Sequence, residues 1–210
     1  MPTDLAPVPV SLCLYEQVPL GEMVGKDGEQ FDIVAGLGRN LVADLRAKSL
    51  DETDVEIQRN TSDRLRFGEG SYEEWYAKGR VPFALVHQGT GALAALVFFG
   101  PKPLGRKSLK HLSAQERAQD ERQMDAGEWH TLAFRSYAPF RGKGLMKPFV
   151  RAALAAYATV HPGARFWAAI QGDNAASQGL ATALGFVVDE GYSDADEGHV
   201  VMVLDLAQSA

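Results

Sequence analysis

The sequence predicts a mixed α/β fold, and three stretches carry the expectation. Residues 128–155 read as a strand, a polar turn, a glycine-containing loop and a helix. Residues 83–99 read as two apolar strands around Gln88-Gly89-Thr90-Gly91, a hairpin signal. Residues 166–188 read as a buried strand, a helix that stops at Gly185 and the start of another strand. With 210 residues, 46% of them apolar, the chain has enough material for one sizeable core. A single domain over 1–210 is therefore expected, with a polar insertion at about 101–127.

From the N-terminus, residues 1–9 are proline-rich and expected to be extended. Val10 to Val18 then forms a first strand, with Ser11, Cys13 and Tyr15 on one face. Residues 21–28 make a turn-rich link. Gly25-Lys26 within it is no nucleotide loop, because the spacing is wrong and Asp27 replaces the required Ser or Thr. From Phe31 to Lys48, the residues Val34, Leu37, Leu41, Val42 and Leu45 fall on one helical stripe, weakened in its first half by Gly36 and Gly38. Residues 51–64 are more polar and predict a short exposed helix. Ser71 with Glu74 forms a capping box, opening a helix that carries Tyr72, Trp75 and Tyr76 and ends near Gly79. Those aromatics either anchor the helix to the core or line a pocket.

After the hairpin, residues 101–127 are rich in charged side chains and contain a second capping box, Ser113 to Glu116. The stretch is too long for a simple connection, so it reads as a solvated helical excursion or as a lid or partner-binding arm. In the strand that follows, alternation puts Glu128, His130, Leu132 and Phe134 on one face. From Leu145 the apolar spacing turns helical, through Met146, Phe149, Val150 and Leu154. Pro148 sits in the first turn, where its missing N–H costs little, and His161-Pro162-Gly163 ends the helix. Arg141-Gly142-Lys143-Gly144 stands at that helix's N-terminus. First-turn N–H groups lack intrahelical partners and glycines let an anion approach them, an arrangement suited to phosphate. Residues 191–198 form an acidic loop, and Val200 to Leu206 is a closing alternating strand.

Two motifs in order, the Arg141–Gly144 loop and Asn174 opening a helix that ends in Gly185-Phe186, make the region from about Phe83 to Leu206 resemble the GNAT superfamily of acetyl-CoA-dependent N-acetyltransferases. The family loop reads Q/R-x-x-G-x-G/A. With Arg141 in the first place Gly144 fits and Met146 departs; with Gly142 and Gly144 as the two glycines, Pro139 departs. The resemblance implies a central, mostly antiparallel sheet flanked by helices and splayed where acetyl-CoA enters as co-substrate. Leu132, Ala133 and Phe134 would offer backbone groups to the pantetheine arm and the acetyl carbonyl. Arg141, Gly142, Lys143, Gly144, Leu145 and Met146 would hold the pyrophosphate, and Asn174 would complete the cofactor site.

The implied activity is acetyl transfer to a primary amine by direct attack. Glu128 stands where the histone-acetylating branch carries its base, with His130 about 7 Å further along the same face as a backup. The branch that places its base shortly before the helix-opening asparagine has Ala169 there instead. Where many members carry a tyrosine as acid for the leaving thiolate, this chain has Ala181, which leaves Tyr137 and Ser177 as hydroxyl candidates. A non-catalytic acyl-CoA-binding sensor is the alternative.

A formal net charge of −6 argues against a nucleic-acid or anionic-membrane partner and would favour a cationic acceptor. The one cysteine, Cys13, excludes an internal disulfide framework, and with no Cys/His cluster no metal is expected. The start has no signal-peptide pattern and no apolar run reaches membrane-spanning length, so a cytoplasmic protein is expected. The acceptor is a small-molecule or peptide amine, with polyamine, amino acid, aminoglycoside and lysine side chain all open. Oligomeric state is open too, a homodimer included.

Overall fold

The computed structural model describes residues 12–119, 124–193 and 198–205. Among the described residues there are eight strands: β1 (Val18–Val24), β2 (Gln30–Ala35), β3 (Val81–His87), β4 (Leu93–Pro101), β5 (Trp129–Ser136), β6 (Arg165–Gln171), β7 (Val187–Val188) and β8 (His199–Leu204). They form one sheet in the order β1-β2-β3-β4-β5-β6-β8-β7. Every neighbouring pair is antiparallel except β5 and β6. The helices are α1 (Arg39–Leu50), α2 (Val55–Asn60), α3 (Tyr72–Tyr76), α4 (Ala114–Ala118), α5 (Met146–Val160) and α6 (Ala175–Ala183). A π-helical turn occupies Arg64–Gly68, and a 3-10 turn Leu109–His111. The expected mostly antiparallel sheet with flanking helices is what the chain builds.

β4 is buried on both faces, so its alternation divides the protein into two cores. Ala95, Val97 and Phe99 face the first, where Phe149, Val150, Leu154 and Tyr157 of α5 pack. Leu96 and Phe98 face the second, with Leu41 and Leu45 of α1 and Trp75 of α3. Each core is an ordinary hydrophobic contact: fully burying one such side chain contributes about 1.5–3 kcal/mol.

The N-terminal third departs from the sequence reading. Val10 and Ser11 lie outside the described residues, and Leu12 to Gln17, expected as a strand, instead contain a turn. Tyr15 takes φ 64 and Glu16 N–H donates to Cys13 O at 3.0 Å. The first described strand starts at Val18 and runs through the part of 21–28 expected as a link. The helix expected over 31–48 is a strand followed by a shorter helix. Phe31, Ile33 and Ala35 alternate into the first core while Val34 faces the second. Gly36 then enforces the break: at φ +76 a side chain is strained, and a Cβ there would meet Glu16 O at 2.1 Å.

Locally encoded features appear as expected. The hairpin joins β3 to β4, and Ser71 Oγ accepts from Glu74 N–H at 3.1 Å, which is one half of the expected capping box. The second capping box is reciprocal, with Glu116 N–H on Ser113 Oγ at 3.2 Å and Ser113 N–H on Glu116 Oε2 at 2.8 Å. Residues 1–11, the 194–197 part of the acidic loop, and Leu206 lie outside the described residues.

Candidate active site

The parallel pair β5–β6 is held by only its first residues: Trp129 with Arg165, His130 with Phe166 and Thr131 with Trp167. Beyond them the strands part, while each stays bound along its other edge. β5 stays on β4 from Leu132 to Ser136, and β6 on β8 out to Gln171. The facing edges, Leu132–Ser136 and Ala168–Gln171, turn backbone N–H and C=O groups into a wedge-shaped gap, where they need partners.

Three cavities with shared walls run through the gap. The first, about 770 Å³, lies among Arg141–Lys147, α2 and the start of α6. The second, about 110 Å³, lies between the parted strands and shares Phe134, Arg135 and Asn174 with the first. The third, about 170 Å³, opens toward α3 and shares Leu132, Ala133 and Ala169 with the second. The channel therefore leads from the glycine loop, past the open edge of β5, to a cavity walled by Trp75, Phe98 and Trp167.

At the loop, Gly142 and Gly144 take φ +75 and +74, which places Leu145, Met146 and Lys147 at the cavity wall with the first-turn N–H groups of α5. Pro148, third residue of the helix, sacrifices no intrahelical bond. The loop's two cations are already engaged. Arg141 donates to Ser136 O at 2.9 Å and pairs with Asp54 at 2.6 Å and Glu56 at 3.2 Å. Lys143 pairs with Glu29 at 2.6 Å and Asp27 at 2.9 Å, and these carboxylates raise its pKa. Attraction for an anion here thus rests on the helix N-terminus and on exposed Lys147 more than on Arg141 or Lys143. Asn174 caps α6 by accepting from Ser177 N–H at 3.0 Å. Across the channel mouth Arg59 pairs with Asp173.

A buried ionic cluster supports the open edge of β5. Asp63, fully buried, meets Arg66 at 3.0 Å and Arg135 at 2.9 Å. The Arg135 contact is ionic without hydrogen-bond alignment. Both guanidiniums also lie over the Phe98 ring, at 5.3 and 5.0 Å.

The expected cofactor-site residues Leu132, Ala133, Phe134, Arg141–Met146 and Asn174 all border the channel. Glu128 and His130 border none of the three cavities. Glu128 is exposed, and its carbonyl accepts from Arg165 N–H at the closed end of the strand pair, at 2.9 Å. His130 faces α5, with Nδ1 2.7 Å from the Tyr157 hydroxyl; burial, then His161 and Arg80, push its pKa down to about 4. The same alternation that puts Leu132 at the gap also puts His130 there in principle. Along the strand, however, His130 belongs to the paired part. Of the hydroxyl candidates, Ser177 borders the first two cavities. Tyr137 is fully buried in the second core, where burial raises its pKa. Ala181 points into the first core.

The residues that sequence reasoning missed are Arg66, Lys78, Arg80, Lys102 and Arg135. A signal existed for one of them: Arg135 interrupts the apolar central strand. Trp75 both anchors α3 and lines a cavity, so the two readings of that aromatic hold together. The 101–127 insertion also reaches the channel, through Lys102, Lys107, Ser108, Leu109, Lys110 and His111.

The sheet thus opens between two parallel strands beside a glycine loop. The family model for the acetyltransferase (GNAT) domain matches residues 48–187. The chain belongs to the GNAT acetyltransferase family. No curated protein matches it by sequence. Similar solved structures include the GNAT domain of PAT from S. lividans, at 16% identity over 88% of this chain and 95% of that one, TM-score 0.54. RimJ of Mycobacterium smegmatis, in complex with CoA-disulfide, is 13% identical over 92% and 89%, TM-score 0.56. A spermidine N-acetyltransferase chimera of Vibrio cholerae SpeG and hSSAT is 15% identical over 85% and 96%, TM-score 0.55. At these identities the likeness is one of fold. Among the described residues no helix is long and apolar enough to cross a membrane, and no cluster could hold a metal ion.

Proposed function

We propose that the protein transfers an acetyl group from acetyl-CoA to a primary amine by direct attack. The observation that carries this reading is the continuous channel from the glycine loop, along the unpaired edge of β5, to an aromatic-walled cavity on the far side. The pyrophosphate would lie at the loop, where Gly142 and Gly144 take positive φ and the first-turn N–H groups of α5 meet the first cavity. The pantetheine arm would then lie in the second cavity, against backbone groups of Leu132–Phe134. Those groups would also donate to the oxyanion as the carbonyl carbon becomes tetrahedral.

The amine would approach from the third cavity, its nitrogen bonding to the carbonyl carbon as the C–S bond breaks. The amine sheds one proton and the thiolate takes one up. Among the described residues lining that cavity Glu74 is the one carboxylate, so Glu74 takes the base role in place of Glu128. Ser177, which borders the first two cavities, is the candidate proton donor to the thiolate.

The test is thiol release from acetyl-CoA over an amine panel. Glu74→Gln should lower kcat/KM at neutral pH at least roughly tenfold, about 1.4 kcal/mol of barrier. Glu128→Gln should change it less than about twofold. The reverse order would return the base role to Glu128. Tight acetyl-CoA binding without turnover of any amine would favour a sensor.

A further inference from the structure

Most buried polar side-chain atoms in a folded protein have a hydrogen-bond partner, and an atom without one calls for a physical reason. Three of the side chains that border the second cavity carry such atoms: Ser62 Oγ, Arg135 Nε and Nη1, and His199 Nδ1 have no hydrogen-bond partner among the described residues. Ser62 is 5% exposed and Arg135 7%. The three stand on both banks of the gap. Ser62 follows α2 and Arg135 belongs to β5, whereas His199 opens β8, the outer neighbour of β6.

The local chain accounts for none of them. Serine and threonine hydroxyls ordinarily bond to backbone a few residues away. Thr61 does so, donating from Oγ1 to Ile57 O at 2.8 Å and accepting from Asp63 N–H at 3.1 Å. Fully buried Ser49 does so too, donating to Leu45 O at 2.7 Å. Ser62 Oγ makes no such bond. Arg135 shares its charge with Asp63 at 2.9 Å, without alignment, so what stays open on it is hydrogen-bonding capacity and not charge. The His199 ring lies 6.3 Å from that of His111, a stacked contact that leaves Nδ1 without a hydrogen bond.

A hydroxyl donates and accepts, a guanidinium N–H only donates, and imidazole Nδ1 does either according to its tautomer. A secondary amide, with one C=O and one N–H, complements such a set. Position selects the part of the ligand. Of the three cavities, Ser62 and His199 border the second alone, whereas the glycine loop borders the first and the acceptor would enter from the third. We infer, on the acetyl-CoA reading on which this rests, that Ser62, Arg135 and His199 bind the amides of the pantetheine arm. Ser62 and Arg135 donate to a carbonyl from the β5 bank, and His199 meets an amide from the β8 bank. These side chains add to the backbone edges that the arm would meet in the gap. The free protein then bears the desolvation cost of the unpartnered groups, and the bound arm removes it.

The experiment compares calorimetric binding of CoA to the full chain with binding of 3′-phospho-ADP, which keeps the nucleotide and lacks the arm. Wild type, Ser62→Ala and His199→Phe are measured side by side. Each variant is expected to weaken CoA about three- to tenfold, as for one neutral hydrogen bond, with 3′-phospho-ADP changed less than about twofold. Thermal unfolding of the free protein is the second readout. Ser62→Ala deletes a hydroxyl that has no partner, so Tm should hold or rise, whereas Ser49→Ala breaks a formed hydrogen bond and should lower it. In turnover the KM for acetyl-CoA should rise with little change in kcat, because the amide contacts are the same in the ground and transition states. CoA affinity unchanged in a variant overturns the assignment of its residue, and an equal loss for 3′-phospho-ADP overturns the arm as the ligand. A Tm loss in Ser62→Ala matching that of Ser49→Ala also overturns it, by making Ser62 a structural residue. Wild type that binds no CoA removes the acetyl-CoA reading together with this assignment. The expected CoA losses without turnover of any amine leave the assignment standing and remove acetyl transfer alone.

Discussion

Replacing Asp63 with asparagine tests the ionic cluster that supports the open strand. Asparagine keeps the shape and loses the charge, leaving Arg135, whose side chain is 5% exposed, without its counter-ion. Removing one partner of a buried pair costs about 3–5 kcal/mol, chiefly from the charge left behind. For a chain of this size each kcal/mol moves Tm by about 2–4 °C, so a fall on the order of 6–20 °C is expected. Thermal and urea unfolding at neutral pH would read it. A second variant isolates the cause: adding Arg135→Met to Asp63→Asn removes the stranded charge and should recover a good part of the loss. A loss below about 1 kcal/mol, or a double variant no better than the sum of the singles, refutes the assignment of Asp63 as the counter-ion that holds Arg135.

Two further expectations concern the cleft and its closed end. Gly144→Val puts a β-branched residue at φ +74 and a Cβ 2.7 Å from Lys26; about 1–3 kcal/mol of strain and a tenfold or greater rise in the acetyl-CoA KM are expected, and an unchanged KM would detach this loop from the cofactor. His130, its pKa lowered from 6.5 to about 4 on folding, gives the unfolded chain more bound protons between those values. Its contribution is therefore complete above pH 6.5 and lost as pH falls toward 4, by about 1–2 kcal/mol after allowance for solvent screening. Urea unfolding at pH 4.5 and 7 should show a pH dependence that His130→Gln reduces, and an equal dependence in both proteins would remove His130 as its source.

What the sequence by itself determined was what neighbouring residues settle among themselves. The β3–β4 turn, the Ser71 and Ser113 caps, the glycine loop ahead of α5 and the Asn174 cap of α6 each depend on a few consecutive residues, and each is legible there. The N-terminal third was not legible, because Val34, Leu37 and Leu41 satisfy a helical stripe as readily as Phe31, Ile33 and Ala35 satisfy alternation. Pairing with β3 and the closeness of Glu16 O to Gly36 decided between them, and both contacts are distant in sequence or conformational. The cleft itself is a feature of strand pairing: β5 and β6 pair only over their first residues while each remains on its outer neighbour, an arrangement of segments distant in sequence that no local pattern records.

Register also keeps Glu128 on the paired end of β5, away from the cavity that α3 borders. Charge shows the division most plainly. Summed over the chain it is −6 and points to cationic acceptors. The fold nevertheless gathers Arg66, Lys78, Arg80 and Lys102 around one cavity, a placement that a sum over the sequence does not carry, because electrostatic interaction depends on distance.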